Sequence, residues 1–110
     1  MIKIDLDKLK SLVEIPLDKE PNYTFDIFLG EKSYQIQVRT FVDGSTRLSI
    51  FSENEIIANL APINIYQTNL AFFSKDSDIV FFFLRNPEIT GEPTFLNFDD
   101  NDLRLFYGNI

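Results

Sequence analysis

The chain has 110 residues and a formal net charge of −7, a length that suits one domain with one core. Hydrophobic residues make up 45% and charged residues 25%, the balance of a globular chain rather than a disordered one. There is no Cys and no His, which excludes disulfides, thiolate nucleophiles, iron–sulfur clusters and zinc sites built on thiolate or imidazole.

Residues 1–12 read as an N-terminal extension or arm, and 13–110 as a single β domain. In the arm, Ile2, Ile4 and Leu6 alternate with Lys3, Asp5 and Asp7, the pattern of a strand added at an edge. Leu6, Leu9 and Lys10 equally fit the start of a short helix. The first residues lack the continuous apolar block and small-residue cleavage site of a signal peptide, so synthesis in a cytosol is expected. No apolar run approaches the ~20 residues that a membrane helix needs.

Strand signals then dominate. Tyr23, Phe25, Ile27 and Leu29 alternate with Thr24, Asp26 and Phe28. After Gly30-Glu31-Lys32, Tyr34, Ile36 and Val38 alternate with Gln35, Gln37 and Arg39. Two alternating runs across a short Gly-containing turn predict a β-hairpin. Its inward face is Tyr23, Phe25, Ile27, Leu29, Tyr34, Ile36 and Val38, and its outward face is polar except for Phe28. Asp43-Gly44 is the next turn, and Phe41 to Phe51 extends the meander by a second hairpin. Glu53-Asn54-Glu55 turns the chain again, and Ile56 to Leu60 is a short fourth strand stopped by Pro62.

Between Pro62 and Phe73, Ile63, Ile65, Tyr66, Leu70 and Phe73 partly match helical spacing, so a loop, a short helix or an extended crossover all fit. Lys75-Asp76-Ser77-Asp78 is a polar turn. Ile79 to Leu84 is the strongest strand by propensity. It is apolar on both faces, as a central strand or one packed on a partner would be. Asn86 to Thr94 is a loop with Pro87, Gly91 and Pro93. Phe95 to Phe98 fits a short strand, Asp99 to Asp102 a turn, and Leu103, Leu105 and Tyr107 a closing strand. The expected fold is all-β: a small antiparallel barrel or sandwich of six to seven short strands with an N-terminal arm.

Twelve of the residues are Phe, more than a lone small core is expected to enclose, so some are assigned to contacts with other chains. Phe28, Phe51 and Phe106 are the candidate interface residues, because each breaks an otherwise polar outward face. Asp99, Asp100, Asn101 and Asp102 form the best oxygen cluster for calcium. The EF-hand pattern fails, with Arg104 at its fifth position and no Gly after it, and an Asx-rich turn is the favoured reading. Asp26 and Glu31, weighed as a carboxylate pair for glycoside hydrolysis, fall on an exposed face and a turn. Tyr23, Tyr34, Tyr66 and Tyr107 would serve a carbohydrate platform, although aromatic residues on strands more often build core. The basic residues are scattered among more numerous acids, unlike a phosphate-binding surface, so direct sequence-specific nucleic-acid binding is not expected. No catalytic residue, metal ligand or cofactor site is assigned.

Ile15-Pro16-Leu17, Pro21-Asn22, Phe25-Asp26-Ile27, Leu29-Gly30 and the Tyr34, Ile36, Val38-Arg39 series follow one another in an order that resembles the start of the cyanophage-type baseplate plug family. Asp102-Leu103-Arg104-Leu105-Phe106-Tyr107 is similar to that family's acidic closing stretch, with its Arg nearer the Leu. The resemblance covers residues 13 to 108. It departs between Ala58 and Ser74, where members carry a Gly-rich middle. It implies a non-enzymatic structural protein of a contractile tail baseplate, a plug or hub-associated part that closes or connects the central tube. The tail hub, spike and tube proteins would be its neighbours, in several copies per virion assembled in the host cytoplasm. No cofactor comes with the family, and an acidic wall would let DNA pass without sticking. The alternative reading is a monomeric small β-barrel that binds a carbohydrate or peptide.

Overall fold

The computed structural model describes residues 2–3, 10–29, 31–53, 55–63, 70–75, 78–88, 91–99 and 102–109. Among them nine strands form two antiparallel sheets: β1 (Ile2–Lys3), β2 (Ser11–Ile15), β3 (Tyr23–Leu29), β4 (Lys32–Thr40), β5 (Thr46–Ser52), β6 (Ile56–Pro62), β7 (Leu70–Phe73), β8 (Ile79–Arg85) and β9 (Leu103–Asn109). One sheet runs β3-β4-β5-β6 and the other β1-β7-β8-β9-β2. The arrangement is a sandwich rather than a barrel, with more strands than the six or seven expected.

The four-stranded sheet follows from alternation. Tyr23 pairs with Val38, and the register continues unbroken to Leu29 opposite Lys32. Lys32, expected in the turn, is thus the first residue of β4, and Gly30 lies outside the described residues. The next hairpin closes through the Phe41 N–H donating to Ser45 O at 2.9 Å and the Gly44 N–H donating to Phe41 O at 2.9 Å. Gly44 has φ +89°, the left-handed position that a three-residue hairpin loop asks of a glycine. Asp43 Oδ1 accepts from the Ser45 N–H and hydroxyl at 2.9 and 2.7 Å, an Asx turn that holds the loop.

β6 is less regular. Leu48 pairs with Ala61, Ile50 with Ala58 and Phe51 with Ile56, so β6 holds an extra residue at two places. These are β-bulges. At the first, Leu60 takes φ +49°, its N–H donates to Ser49 Oγ at 2.8 Å and its carbonyl accepts from Arg47 Nη1 at 3.2 Å. The strand continues through Ala61 to Pro62 instead of stopping before the proline, as an edge strand allows.

The core lies between the sheets. Ile36, Val38, Leu48 and Ile50 from one sheet meet Phe81, Phe83, Leu103 and Leu105 from the other, all buried. Tyr34 and Phe81 cross the gap edge to face, ring centroids 5.4 Å apart at 68°. β8 is the central strand, between β7 and β9, which explains its two apolar faces. Phe81 and Phe83 enter the main core, while Val80 and Phe82 build a second cluster with Phe106 on the opposite face. β9 is not a closing strand but an internal one. β2, unforeseen as a strand, lies beyond it with Ser11 opposite Asn109 and Ile15 opposite Leu105. β1 pairs with β7 at the far edge, Ile2 opposite Ala71. Ile65 and Tyr66, part of the ambiguous Pro62 to Phe73 stretch, lie outside the described residues.

Phe95–Asn97 is a 3₁₀ turn, not a strand. Thr94 and Asn97 form a reciprocal capping box: Thr94 Oγ1 accepts from the Leu96 N–H at 3.3 Å, and Asn97 Oδ1 accepts from the Thr94 N–H at 2.9 Å. Satisfying these donors locally favours the turn over a ladder. The Phe95 N–H donates to Thr46 Oγ1 at 3.0 Å, fastening the turn to the start of β5.

Two stability outcomes follow. Phe81→Ala, at the centre of the core, is expected to lower unfolding free energy by about 3–5 kcal/mol in a urea titration. Leu60→Asn, at a positive φ that a γ-branched side chain tolerates poorly, is expected to raise it by a few tenths to about 1 kcal/mol.

Candidate interaction surface

The outer face of the four-stranded sheet carries Thr24, Asp26 and Phe28 from β3, Ser33, Gln35, Gln37 and Arg39 from β4, and Arg47, Ser49 and Phe51 from β5. The registers that place Phe28 opposite Ser33, Gln35 opposite Phe51 and Arg39 opposite Arg47 set this face. Phe28 is 77% exposed. Phe51 is half-buried and sits opposite Ile56, which is 64% exposed. One end of the face is therefore apolar and the other cationic. Arg47 places its guanidinium carbon 5.9 Å from the Phe41 ring centroid. Beyond it, the β4–β5 loop exposes Phe41 and Val42.

Of the three candidate interface residues, the structure brings Phe28 and Phe51 to one face and separates Phe106 from them. Phe106 is buried, its ring stacked on Phe82 at 6.0 Å and 17°, with the Arg104 guanidinium carbon 4.9 Å from its centroid. The face of β9 assumed to be polar is apolar, because β9 is internal and shares that face with Val80 and Phe82. Most of the phenylalanines are also accommodated. Phe72, Phe81, Phe82, Phe83, Phe98 and Phe106 are buried, and Phe25, Phe51, Phe73 and Phe95 half-buried, leaving Phe28 and Phe41 exposed. Sequence reasoning missed Ile56. Two bulges shift the facing of β6, so counting by twos along it gives no face.

The other candidates are dispersed. Asp26 and Glu31 are both exposed. Asp99 bridges to Lys19 at 3.1 Å and accepts the Asp102 N–H at 2.8 Å, and Asp102 Oδ2 accepts from Asn97 Nδ2 at 3.1 Å. Apart from the Lys19 bridge, these are the bonds of a turn. Asp100 and Asn101 lie outside the described residues. A cleft of about 560 Å³ is lined by Asp43, Arg47, Glu92 and Thr94 among others. Two hydrogen bonds from Ser45 hold the Asp43 carboxyl below its ordinary value, opposite in direction to what a general acid requires. Among the described residues the tyrosines do not gather into a sugar platform, Tyr107 packing on the main core. Tyr34 is buried. Tyr23 stacks on Phe25 at 5.9 Å, and its hydroxyl accepts from the Asp18 N–H at 2.8 Å and donates to Asp18 O at 3.0 Å. Tyr66 lies outside the described residues. Among the described residues no helix is long and apolar enough to cross a membrane.

An aromatic sandwich core, with an open sheet face that is apolar at one end, defines a small all-β protein suited to packing against neighbours. The family described as cyanophage baseplate Pam3 plug gp18 matches residues 12–110, and the chain belongs to that baseplate plug family of phage tail structural proteins. No curated protein matches it. Family motif residues now have physical roles: Ile15 ends β2 in the core, and Asn22 Oδ1 accepts the Thr40 N–H at 3.0 Å, extending the β3–β4 pair.

Burial, and secondarily the charges of Asp18 and Glu20, push the Tyr23 hydroxyl up to about 12, against the lowering effect of the Asp18 backbone bond. The folded value lies above the unfolded one of about 10. The stabilising contribution is therefore complete below pH ~10 and lost as pH rises towards 12. Denaturation at a series of alkaline pH values should show that loss, and Tyr23→Phe should diminish it while costing about 1 kcal/mol at neutral pH.

Proposed function

We propose that this protein is a plug or hub-associated component at the centre of a contractile phage tail baseplate. It closes or connects the central tube by packing against hub, spike and tube proteins, in several copies per virion assembled in the host cytoplasm. The observation that carries this reading is the family match across residues 12–110. The apolar end of the outer sheet face supports it. Phe28 and Phe51 form the proposed contact with a neighbour, since an exposed aromatic residue covered on assembly can dominate an interface. Phe106, enclosed in the free chain, stays outside that contact set. The role needs no catalysis and no cofactor. The net charge of −7 opposes adhesion of DNA passing nearby.

Co-expression with the adjacent hub and tube proteins, followed by light scattering of the purified complex, tests the proposal. A stable complex is expected. Phe28→Asp should weaken it by roughly thirtyfold or more while leaving the melting temperature of the free chain nearly unchanged. Phe106→Asp should instead unfold the free chain. A free chain that ignores those neighbours would overturn the reading.

A further inference from the structure

The four sheet edges are not alike. β1 is two residues long. β2 has five residues, begins after Lys10, is followed at once by Pro16, and ties Glu14 to Arg104 of β9 at 3.4 Å. β6 carries two bulges and the positive φ of Leu60, and ends on Pro62. Short length, flanking Lys or Pro, and bulges are the means by which proteins stop an edge from pairing with another chain. β3 has none of these three, and its one charged side chain is the outward-facing Asp26. Its seven residues keep regular register with β4 throughout and include no Pro and no Lys.

The direction of its backbone groups follows from β4. The Phe41 N–H bonds towards β5, to Ser45 O, while the Thr40 N–H bonds towards β3, to Asn22 Oδ1. Alternation then turns the backbone groups of Val38, Ile36 and Tyr34 to β3, where they meet Tyr23, Phe25 and Ile27. The N–H and C=O groups of Thr24, Asp26 and Phe28 therefore point out of the sheet. All three residues are exposed, and no hydrogen bond among the described residues meets those groups from outside the sheet.

The inner face of β3 is incomplete in a matching way. Tyr23, Phe25 and Ile27 are half-buried, whereas Val38, Ile36 and Tyr34 opposite them are at most 1% exposed. One more strand beside β3 would finish that burial. On the outer side it would meet Asp26 and Phe28.

We propose that the edge of β3 accepts an antiparallel strand from a different protein, apolar on the core side, basic opposite Asp26 and apolar opposite Phe28. The backbone of Thr24, Asp26 and Phe28 supplies the pairing, and the side chains select the sequence. Charge argues against a second copy of this chain. Antiparallel pairing of β3 with itself about its centre sets Asp26 against Asp26, with like charges directly opposite, and joins two chains of net charge −7. The proposal concerns how a neighbour attaches and stands apart from which particle the neighbour belongs to.

The test uses the full chain and a blocked heptapeptide, Val-Leu-Ile-Lys-Val-Thr-Val, whose Lys falls opposite Asp26. Amide hydrogen exchange followed by NMR should show added protection at Thr24, Asp26 and Phe28, with β2 and β6 unchanged. Replacing the peptide Lys by Glu should weaken binding roughly two- to fivefold, and Asp26→Lys should invert that preference. Asp26→Pro removes only an outward N–H, which an edge strand tolerates. It should leave the circular dichroism spectrum intact and abolish the protection. A folded chain that shows no protection at these amides, or protection at β2 or β6 instead, overturns the proposal. So does concentration-dependent protection without peptide, which would assign the edge to a second copy. None of these outcomes depends on baseplate assembly, so each is separable from failure of that reading.

Discussion

The sandwich turns on one contact, the edge-to-face meeting of Tyr34 and Phe81 across the gap between the sheets. Each ring stands on an internal strand of its own sheet, β4 or β8, and each is closed off from solvent. Aromatic pairs of this geometry add attraction beyond the area they bury. Around them the aliphatic side chains of β4 and β5 interlock with Phe83, Leu103 and Leu105. With a large ring from each side at the centre, sheet spacing is set there, and the smaller side chains fill what remains.

The periphery is held by polar ties at defined places. Glu55 receives the Ser74 hydroxyl, and its two carboxylate oxygens accept the Lys75 N–H at 3.1 and 3.0 Å, joining the β5–β6 turn to the segment after β7. Thr46 pairs its hydroxyl with that of Thr40 at 3.1 Å and also holds the 3₁₀ turn. Arg85 donates to Gly91 O at 2.7 Å, anchoring the loop that follows β8. Phe28, on the outer face of β3, stays 77% exposed in a protein otherwise economical with exposed aromatic surface.

Alternation was readable wherever one face of a strand meets core and the other meets water. All seven inward residues of the first hairpin pack on the main core, and Phe28 stands outside it. It failed where that condition fails. In β2, Leu12 and Val13 are both exposed, so no period of two marks the strand. Its place beside β9 depends on pairing across nearly the whole chain. In β6 the bulges change facing mid-strand. At Phe95 the apolar residues suggested a strand, but the Thr94 and Asn97 spacing carried the better signal, since a reciprocal cap needs that separation. The burial of Phe106 has a topological reason. Whether the second face of β9 is wet or dry depends on what lies beside it, and the aromatic residues of β8 make it dry.

The β2–β9 ladder also has a mechanical meaning. Ser11 pairs with Asn109 at one end of the ladder, and Ile15 with Leu105 at the other. A pull through the segments that precede Ser11 and follow Asn109 therefore enters at the same end of an antiparallel pair. It loads the hydrogen bonds one after another, as a zipper is opened, rather than all at once in shear. The same sandwich squeezed between its two sheets meets a close-packed aromatic interior of low compressibility. The domain is thus suited to bearing compression from its surroundings and poorly suited to carrying tension along its own chain.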